Sequence, residues 1–423
     1  MTTEAALARS ARTEQTRARI VAAARDVFIA QGYRASSLRD VATAAGISHP
    51  GLLKHFATKD ALLAEAVGAF EGANEQALLE ELETYAAGSL AYASVAARNE
   101  RIPGYLPLYA ALVGEGSTSG HPAHAWMHDR YARLRETSVD ALTDAAQHGL
   151  VDPARDPVGE SVRVAAVWDG LQLLELYLPE RVDLVALLEE HQELLALPPS
   201  WREDSPLETP GTPMNLPPLT PADASSAGAD EGYRVGRERR VQILADATAL
   251  FARDGYADTS LREIAEQVGV SKSALLHHYP SKDALLRAVL AERDRLVSVR
   301  TGDAAPRAAD LLRELPLGAA ANAEHAPGLI EVYAVLSCEA LPEDHPAHAY
   351  FASRFTWALD YFTAVLSAAQ ADGDLPAHRD PEREAIRLVA LWDGLQYQWL
   401  YDRDAVDVAA HLAAHLADLL PPR

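Results

Sequence analysis

Two short stretches of the chain begin with side chains that can hydrogen-bond to the edges of nucleic-acid bases. One runs from Ser48 to His55 and the other from Ser271 to His278. Lys272 can donate to guanine O6 and N7, and His49 can either donate or accept. Each opening serine is a good helix N-cap, because its hydroxyl accepts from an otherwise unpaired backbone N–H. These residue types indicate base recognition by the first turns of two short helices.

A helix and a glycine turn precede the first stretch and would position it. Ser37 to Phe56 reads SLRDVATAAGISHPGLLKHF, in which apolar residues recur every three to four positions before Gly46. Gly46 can end that helix, since a left-handed backbone costs glycine little. Helix, turn and helix make a helix-turn-helix, whose second helix enters the DNA major groove. The alternative is a pair of short helices in an ordinary bundle.

The whole arrangement occurs a second time along the chain. Ser260 to Tyr279 reads SLREIAEQVGVSKSALLHHY, 223 positions later, and keeps both serine caps and the turn glycine. Further on, His121-Pro-Ala-His-Ala and Trp168-Asp-Gly-Leu-Gln recur 224 positions later, from His345 and Trp392. The chain is therefore a duplication of one complete unit.

The repeated motif resembles the DNA-binding domain of the tetracycline-repressor (TetR) family. The likeness lies in Phe-x3-Gly-Tyr, the Ser-Leu-Arg helix start, the Gly-Ile/Val-Ser turn and the closing His-Phe/Tyr-x2-Lys-Asp. It implies an all-α fold, with three helices for DNA and a larger helical domain for ligand binding and dimerisation. The chain departs from the family pattern at Leu53 and Leu276, where family members usually carry Tyr.

Duplication of such a unit predicts an all-α chain whose two halves form an intramolecular pseudodimer. We expect a first DNA-binding domain at 1–57, a helical ligand and dimerisation domain at 58–196, a Pro-rich linker at 197–236, a second DNA-binding domain at 237–280 and a second ligand domain at 281–423. Pro157–Leu195 would pack on Pro381–Leu420 as four helices. The alternative is that these apolar faces only close each unit's own core. A homodimer with four DNA-binding domains is the alternative to a monomeric pseudodimer.

The residues expected to contact DNA lie on or beside the two helix-turn-helix motifs. In the first motif they are Ser37, Arg39, Ser48, His49, Pro50, Gly51, Lys54, His55 and Lys59. In the second they are Ser260, Arg262, Ser271, Lys272, Ser273, Ala274, His277, His278 and Lys282. Lys59 and Lys282 open the following helix, whose positive end adds to their charge, so we expect phosphate contacts there. Because the two stretches differ, we expect an imperfect palindrome with distinguishable half-sites.

Aromatic residues are the candidates for lining a small-molecule effector pocket in each unit. They are Tyr105, Tyr109, Trp126, Tyr131 and Trp168 in the first unit, and Tyr333, Phe351, Phe355, Trp357, Tyr361 and Trp392 in the second. Aromatic side chains at helical spacing also build ordinary cores, which is the alternative for each. His121 and His124 have a spacing that suits a metal, but no cysteine accompanies them, so we expect neither metal nor cofactor.

Charge is distributed unevenly along the chain. The net charge is −23, yet the first 63 residues carry nine Arg and Lys against five Asp and Glu. Residues 233–290 carry nine against seven. A single cysteine, Cys338, favours a reducing cytoplasm, and neither an apolar leader nor a membrane-length run is present in the sequence.

These observations predict a one-component transcriptional regulator, acting as a repressor that a small-molecule effector releases from its operator. The alternative is a ligand-binding or protein-interaction module that has lost specific DNA binding. No Ser-His-Asp set, Gly-rich phosphate loop or paired catalytic carboxylates stand out, so we do not expect an enzyme.

Overall fold

The computed structural model describes residues 2–33, 36–69, 86–118, 120–203, 214, 216–217, 234–298 and 307–421. The first half contributes α1 (Thr2–Gln31), α2 (Leu38–Ala44), α3 (His49–Leu53), α4 (59–69), α5 (Tyr92–Arg101), α6 (Tyr105–Glu115), α7 (His124–Gln147), α8 (Pro157–Tyr177) and α9 (Leu184–Leu195). The second half contributes α10 (Arg234–Asp258), α11 (Leu261–Val268), α12 (Lys272–His278), α13 (Lys282–Ser298), α14 (Ala308–His325), α15 (Pro327–Glu339), α16 (His348–Ala371), α17 (Pro381–Tyr401) and α18 (Val408–Leu419). This order confirms an all-α chain of two equivalent units.

Each unit begins with a three-helix head closed by its own apolar core. In the first head α1, α2 and α3 meet around Phe28, Val41 and Leu52, which are fully buried. In the second head Phe251 and Leu275 are fully buried among α10, α11 and α12. Since these large side chains occupy matching positions in the repeat, the two heads close in the same way.

Glycine breaks the helical backbone of each head at the same place, because Gly32 follows α1 and Gly255 is a non-helical residue inside the range of α10. Gly32 has φ +77° and Gly255 has φ +75°, a left-handed backbone that residues with a Cβ rarely adopt. The chain then turns into α2 or α11. We call the helices that follow the head in each unit, α4–α9 or α13–α18, the body of that unit. The turn places the tyrosine that follows, Tyr33 or Tyr256, against this body.

The two units pack on each other along α8 and α17. A Cβ on Gly170 would overlap the carbonyl of Ala390, and one on Gly394 would overlap the carbonyl of Ala166. Both glycines belong to the repeated Trp-Asp-Gly-Leu-Gln motif, so the crossing is symmetric between the units. Backbones this close exclude any larger side chain at the crossing. The predicted packing of the two units is therefore present at α8 and α17, whereas α9 packs mainly on α5 and α18 mainly on α14.

Buried ion pairs cross the same interface. Asp418 accepts hydrogen bonds from Arg155 of the first unit and Arg379 of the second, both at 3.3 Å. Arg155 also pairs with Glu160 at 3.0 Å, and Arg379 with Glu384 at 3.1 Å. Removing one member of such a buried set leaves a charge uncompensated, so the set fixes which surfaces of the two units meet.

The start of the Pro-rich linker lies on the second unit. Trp201 packs edge-on against His378, with ring centroids 4.9 Å apart. The Arg202 guanidinium donates to the carbonyls of Gly373 and Asp374, both at 2.8 Å. The chain therefore leaves the first unit along the surface of the second. Across the described ranges, every helix is too short or too polar to cross a lipid bilayer.

Candidate nucleic-acid interface

Side-chain caps build the helix-turn-helix of the first head. The Ser37 hydroxyl accepts from the Asp40 N–H at 3.3 Å, and the Asp40 carboxylate accepts from the Ser37 N–H at 2.8 Å. Gly46, at φ +65°, makes the turn. The Ser48 hydroxyl then accepts from the Gly51 N–H at 3.2 Å and starts α3. These bonds satisfy backbone N–H groups that a helix start otherwise leaves unpaired.

The second head repeats this construction. Ser260 and Glu263 form the reciprocal cap of α11, with N···O distances of 2.7 and 3.2 Å. Gly269 ends α11 at φ +73°. The Ser271 hydroxyl accepts from the Ala274 N–H at 3.2 Å and starts α12. The serines and glycines that the sequence indicated as caps and turns therefore hold both recognition helices, α3 and α12.

Most of the DNA contacts predicted on the recognition helices and the residues that follow them lie on the solvent side, and among these Lys54, His55, His277 and His278 are predicted phosphate contacts. The exposed ones are Ser48, Pro50 and Lys54 on the first head, and Ser271, Lys272, Ser273, Ala274 and His277 on the second. The half-buried ones are His49, Gly51, His55 and His278. Burial together with the charges of His277 and Arg240 lowers the pKa of His278. At the first residue of the recognition helix, the second head presents a permanent cation, Lys272, whereas the first head presents His49.

The other predicted phosphate contacts divide into two groups. Ser37, Arg39, Ser260 and Arg262 are exposed on the heads, and Arg262 pairs with Glu266 at 2.8 Å. Lys59 and Lys282 are half-buried instead, where each head meets its body. Their phosphate contact stays a prediction.

Backbone carbonyls hold the two lysines at that junction. The Lys59 ammonium donates to the carbonyls of Tyr33 and Ser36, at 2.8 and 2.9 Å. The Lys282 ammonium donates to the carbonyl of Ala257 at 3.2 Å. Each ammonium also lies over a tyrosine ring, 4.3 Å from the Tyr33 centroid and 4.2 Å from the Tyr256 centroid. The lysines therefore brace the backbone just after the glycine break at Gly32 or Gly255.

Two glutamates, the buried Glu115 and the half-buried Glu339, fasten the heads to the bodies, and sequence reasoning missed both. Glu115 ends α6 and accepts from the Tyr33 N–H at 3.2 Å. Glu339 ends α15 and accepts from the N–H groups of Tyr256 and Ala257, both at 2.6 Å. We call these two sets of contacts the head anchors. The signal available in the sequence was the recurrence of Glu 224 positions apart, since single glutamates usually lie at the surface.

The aromatic candidates of the first unit only partly come together. Tyr105 and Tyr109 stack with centroids 5.9 Å apart, and the Tyr131 hydroxyl donates to the carboxylate of Asp169 at 2.6 Å. Burial raises the pKa of Asp169 to about 6. Two candidates lie elsewhere: Trp126 packs where the head meets the body, and Trp168 packs edge-on against Tyr92.

In the second unit three of the candidates form one cluster. Tyr333, Phe351 and Phe355 pack together, with centroids 5.4 to 6.5 Å apart. Burial raises the pKa of the nearby Asp393 to about 6. The other candidates are Tyr361, which packs on Phe362, Trp357, which is half-buried, and Trp392, whose indole N–H is buried without a bonded partner.

The repeated histidine pairs have structural partners. The Nδ1 of His121 accepts from the Ala123 N–H at 3.2 Å, and the Nδ1 of His124 lies 2.9 Å from the carbonyl of Gly116. Among the described residues, no group of three or more His, Cys, Asp and Glu side chains is placed to hold a metal ion.

Comparison with known proteins finds the same family in both heads. Residues 20–66 and 243–289 match the family described as "Bacterial regulatory proteins, tetR family". Residues 351–421 match the family described as "BetI-type transcriptional repressor, C-terminal". The heads and the end of the second unit therefore resemble families of regulators.

Individual relatives match one unit of the chain or a part of one unit. The transcriptional regulator TtgR of Pseudomonas putida is 31% identical over 188 residues, which are 41% of this chain and 85% of TtgR. The transcriptional activator FasR of Mycolicibacterium smegmatis is 43% identical over 75 residues, 17% of this chain and 34% of FasR. The solved structure of SmeT, the repressor of a Stenotrophomonas maltophilia multidrug efflux pump, is 22% identical, with a TM-score of 0.35, and covers 42% of this chain and 86% of its own.

Two capped helix-turn-helix heads, an all-helical body and a relative matched over most of its length agree with one another. The chain belongs to the TetR family of bacterial transcriptional regulators, and it carries two of the family's units in tandem.

Proposed function

We propose that the protein is a cytoplasmic repressor that binds an imperfectly palindromic operator as a single-chain pseudodimer. Each head would read one half-site, and a small-molecule effector would release both. The observation that carries this proposal is the pair of equivalent anchors. Glu115 and Glu339 each hold one head on the body of its own unit, and the two bodies interlock at Gly170 and Gly394. Two heads held on two interlocked bodies can meet successive major grooves, about 34–36 Å apart.

The asymmetry of the proposed half-sites rests on the recognition helices. Lys272 on α12 is exposed and can donate to guanine O6 and N7. At the matching position of α3 lies His49, followed by Pro50 and Gly51, which offer apolar or close backbone contact. Two heads with such different donors favour different bases, so the operator would be palindromic only in part.

Effector binding is assigned to the interior of the ligand domains. Asp169 and Asp393 occupy matching positions on α8 and α17, one residue from the glycines at which these helices cross. An effector that contacts either carboxyl or its aromatic neighbours would act on the two helices that join the units. A change in that crossing would alter the spacing of the heads, and the effector would thereby favour a state that fits the operator poorly.

A repressor is favoured over an activator by the match of residues 351–421 to a family of repressor C-terminal domains. The competing function is a ligand-binding module without specific DNA binding. Leu53 favours it, because this side chain of the recognition helix is 41% exposed and apolar where the family usually carries tyrosine. DNA binding decides between these two functions.

The test is selection of bound fragments from genomic DNA with the full chain, followed by footprinting and titration of salt. We expect two unequal protected half-sites about one helical turn apart, and an affinity that falls steeply with salt as counterions are released. The matched control is the chain with Lys54→Ala and Lys272→Ala, which should enrich no fragment. Equal enrichment by the chain and this control would overturn the proposal and favour the module.

A further inference from the structure

Two tyrosines at the C-terminal ends of the interface helices reach across from one unit to the other. The Tyr401 hydroxyl, on α17, donates to the carbonyl of Val113 at 2.8 Å and lies 3.2 Å from that of Leu112 on α6. The Tyr177 hydroxyl, on α8, donates to the carbonyl of Ser337 on α15 at 2.7 Å. Tyr177 and Tyr401 are 224 positions apart, as are Val113 and Ser337. The same bond is thus made twice, once in each direction.

The accepting carbonyls belong to the last turns of α6 and α15. The final four carbonyls of a helix have no partner within that helix, so an outside donor stabilises the turn. Two residues after Val113 comes Glu115, and two residues after Ser337 comes Glu339. These glutamates accept the hydrogen bonds of the head anchors. Each tyrosine therefore supports the helix turn that carries the anchoring glutamate of the opposite unit.

The repeated His-Pro-Ala-His motif lies between the tyrosine and the head. The His124 ring stacks on Tyr401 with centroids 5.3 Å apart, while His121 packs edge-on against Tyr33 of the head at 5.0 Å. In the second unit His348 stacks on Tyr177 at 5.3 Å. There, His345 packs edge-on against Tyr256 at 5.2 Å. Each His-Pro-Ala-His motif thus contacts its own head through its first histidine and the opposite unit through its second.

The anchor helices also touch each other directly. A Cβ on Gly114 of α6 would overlap the side chain of Cys338, which holds the equivalent position on α15. Burial raises the pKa of Tyr401 and of Tyr177 well above the ordinary tyrosine value, so both keep the proton that they donate. The contacts between the units are therefore continuous from the α8–α17 crossing to both head anchors.

We propose that Tyr401 and Tyr177 are positioning residues for DNA binding, each setting the orientation of the head in the unit to which it does not belong. Tyr401 would position the first head through Val113 and Glu115, and Tyr177 would position the second through Ser337 and Glu339. A change in one unit's α8 or α17 then acts on the other unit's head. The DNA part of this inference rests on the proposed function, whereas the coupling between units does not.

The experiment compares amide hydrogen exchange in Tyr401→Phe and Tyr177→Phe, which keep the rings and remove only the donors. In Tyr401→Phe we expect the Tyr33 amide to exchange about two- to tenfold faster while the Tyr256 and Ala257 amides are unchanged. Tyr177→Phe should give the reverse. Tyr92→Phe is the matched control, because its hydroxyl bonds to Ser138 within its own unit, and it should change neither head.

The two substitutions control each other. A general loss of stability would loosen both heads alike, and that result would overturn the proposal, as would faster exchange in the variant's own head or in neither. On an operator, Tyr401→Phe should weaken protection of the half-site read by the first head and leave the other unchanged. If the unsubstituted chain protects no DNA, the proposed function fails while the exchange result still decides the coupling.

Discussion

At the scale of single residues, the proposed function assigns base recognition to the first turns of α3 and α12. Their caps, Ser48 and Ser271, use their hydroxyls to hold the backbone, so these side chains orient the helix as well as facing solvent. Lys272 has no equivalent cation at the matching position of α3. If the proposed function is correct, Lys272 is the residue through which we expect the two half-sites to be told apart.

Lys272→Ala should weaken binding at one half-site only. A lost donor to a guanine edge costs about 1–3 kcal/mol of discrimination and relaxes the base preference at that position. The measurement is quantitative footprinting of both half-sites over a range of protein concentrations. Arg133→Ala is the control, since it removes the same charge from an exposed position on α7 and should leave both half-sites unchanged. Equal weakening of both half-sites would contradict the assignment.

Asp169 should make the protein less stable as the pH rises from about 4 to 6. Burial raises its folded-state pKa to about 6 from an ordinary value of 3.8, so the folded chain holds this proton over that interval and the unfolded chain does not. The contribution of Asp169 to the free energy of unfolding should therefore fall on the order of 2 kcal/mol across the interval. Asp169→Asn should remove this contribution in denaturant titrations while that of Asp393, whose pKa burial also raises to about 6, remains, and Asp140→Asn, at an exposed position on α7, should remove neither.

Which residues the sequence could and could not predict has a physical cause. Serine caps and turn glycines act on a backbone within a few positions, so their roles are local and were predicted correctly. Glu115 and Tyr401 act on groups far away in the chain, Tyr33 and Val113. Only folding brings such pairs together, and a buried glutamate has no local pattern that separates it from a solvated one.

At the scale of elements, the crossing of α8 and α17 joins the two units. The sequence predicted this packing because both segments are apolar and recur with the same motif. It did not predict that the glycine of Trp-Asp-Gly-Leu-Gln is the point of closest approach, since close backbone contact leaves no mark on periodicity. Gly170 and Gly394 allow that contact because they carry no Cβ.

Gly170→Ala should destabilise the pseudodimer strongly. The added methyl would overlap the carbonyl of Ala390, and relief requires the helices to separate, at a cost of about 3 kcal/mol or more. Gly318→Ala is the matched control, because a Cβ there meets nothing within 4 Å inside α14 and better helix propensity should stabilise by about 0.5–1 kcal/mol. Thermal and denaturant unfolding of both variants checks the pair, and equal effects would contradict the proposed close approach.

At the scale of the whole molecule, charge and connectivity act together. The chain carries a net charge of −23, while both head segments have more basic than acidic residues. Phosphates would attract the heads and repel the acidic remainder, which orients the protein on the duplex. Joining two units in one chain makes their association intramolecular, with an effective concentration of about the millimolar range.

The most direct test of the central claim, that one chain supplies both heads to one operator, is native mass spectrometry of the protein on the DNA it selects. A complex containing one chain of 45.6 kDa per duplex with both half-sites is the expected result. A complex containing two chains per duplex, and none with a single chain, would contradict the pseudodimer.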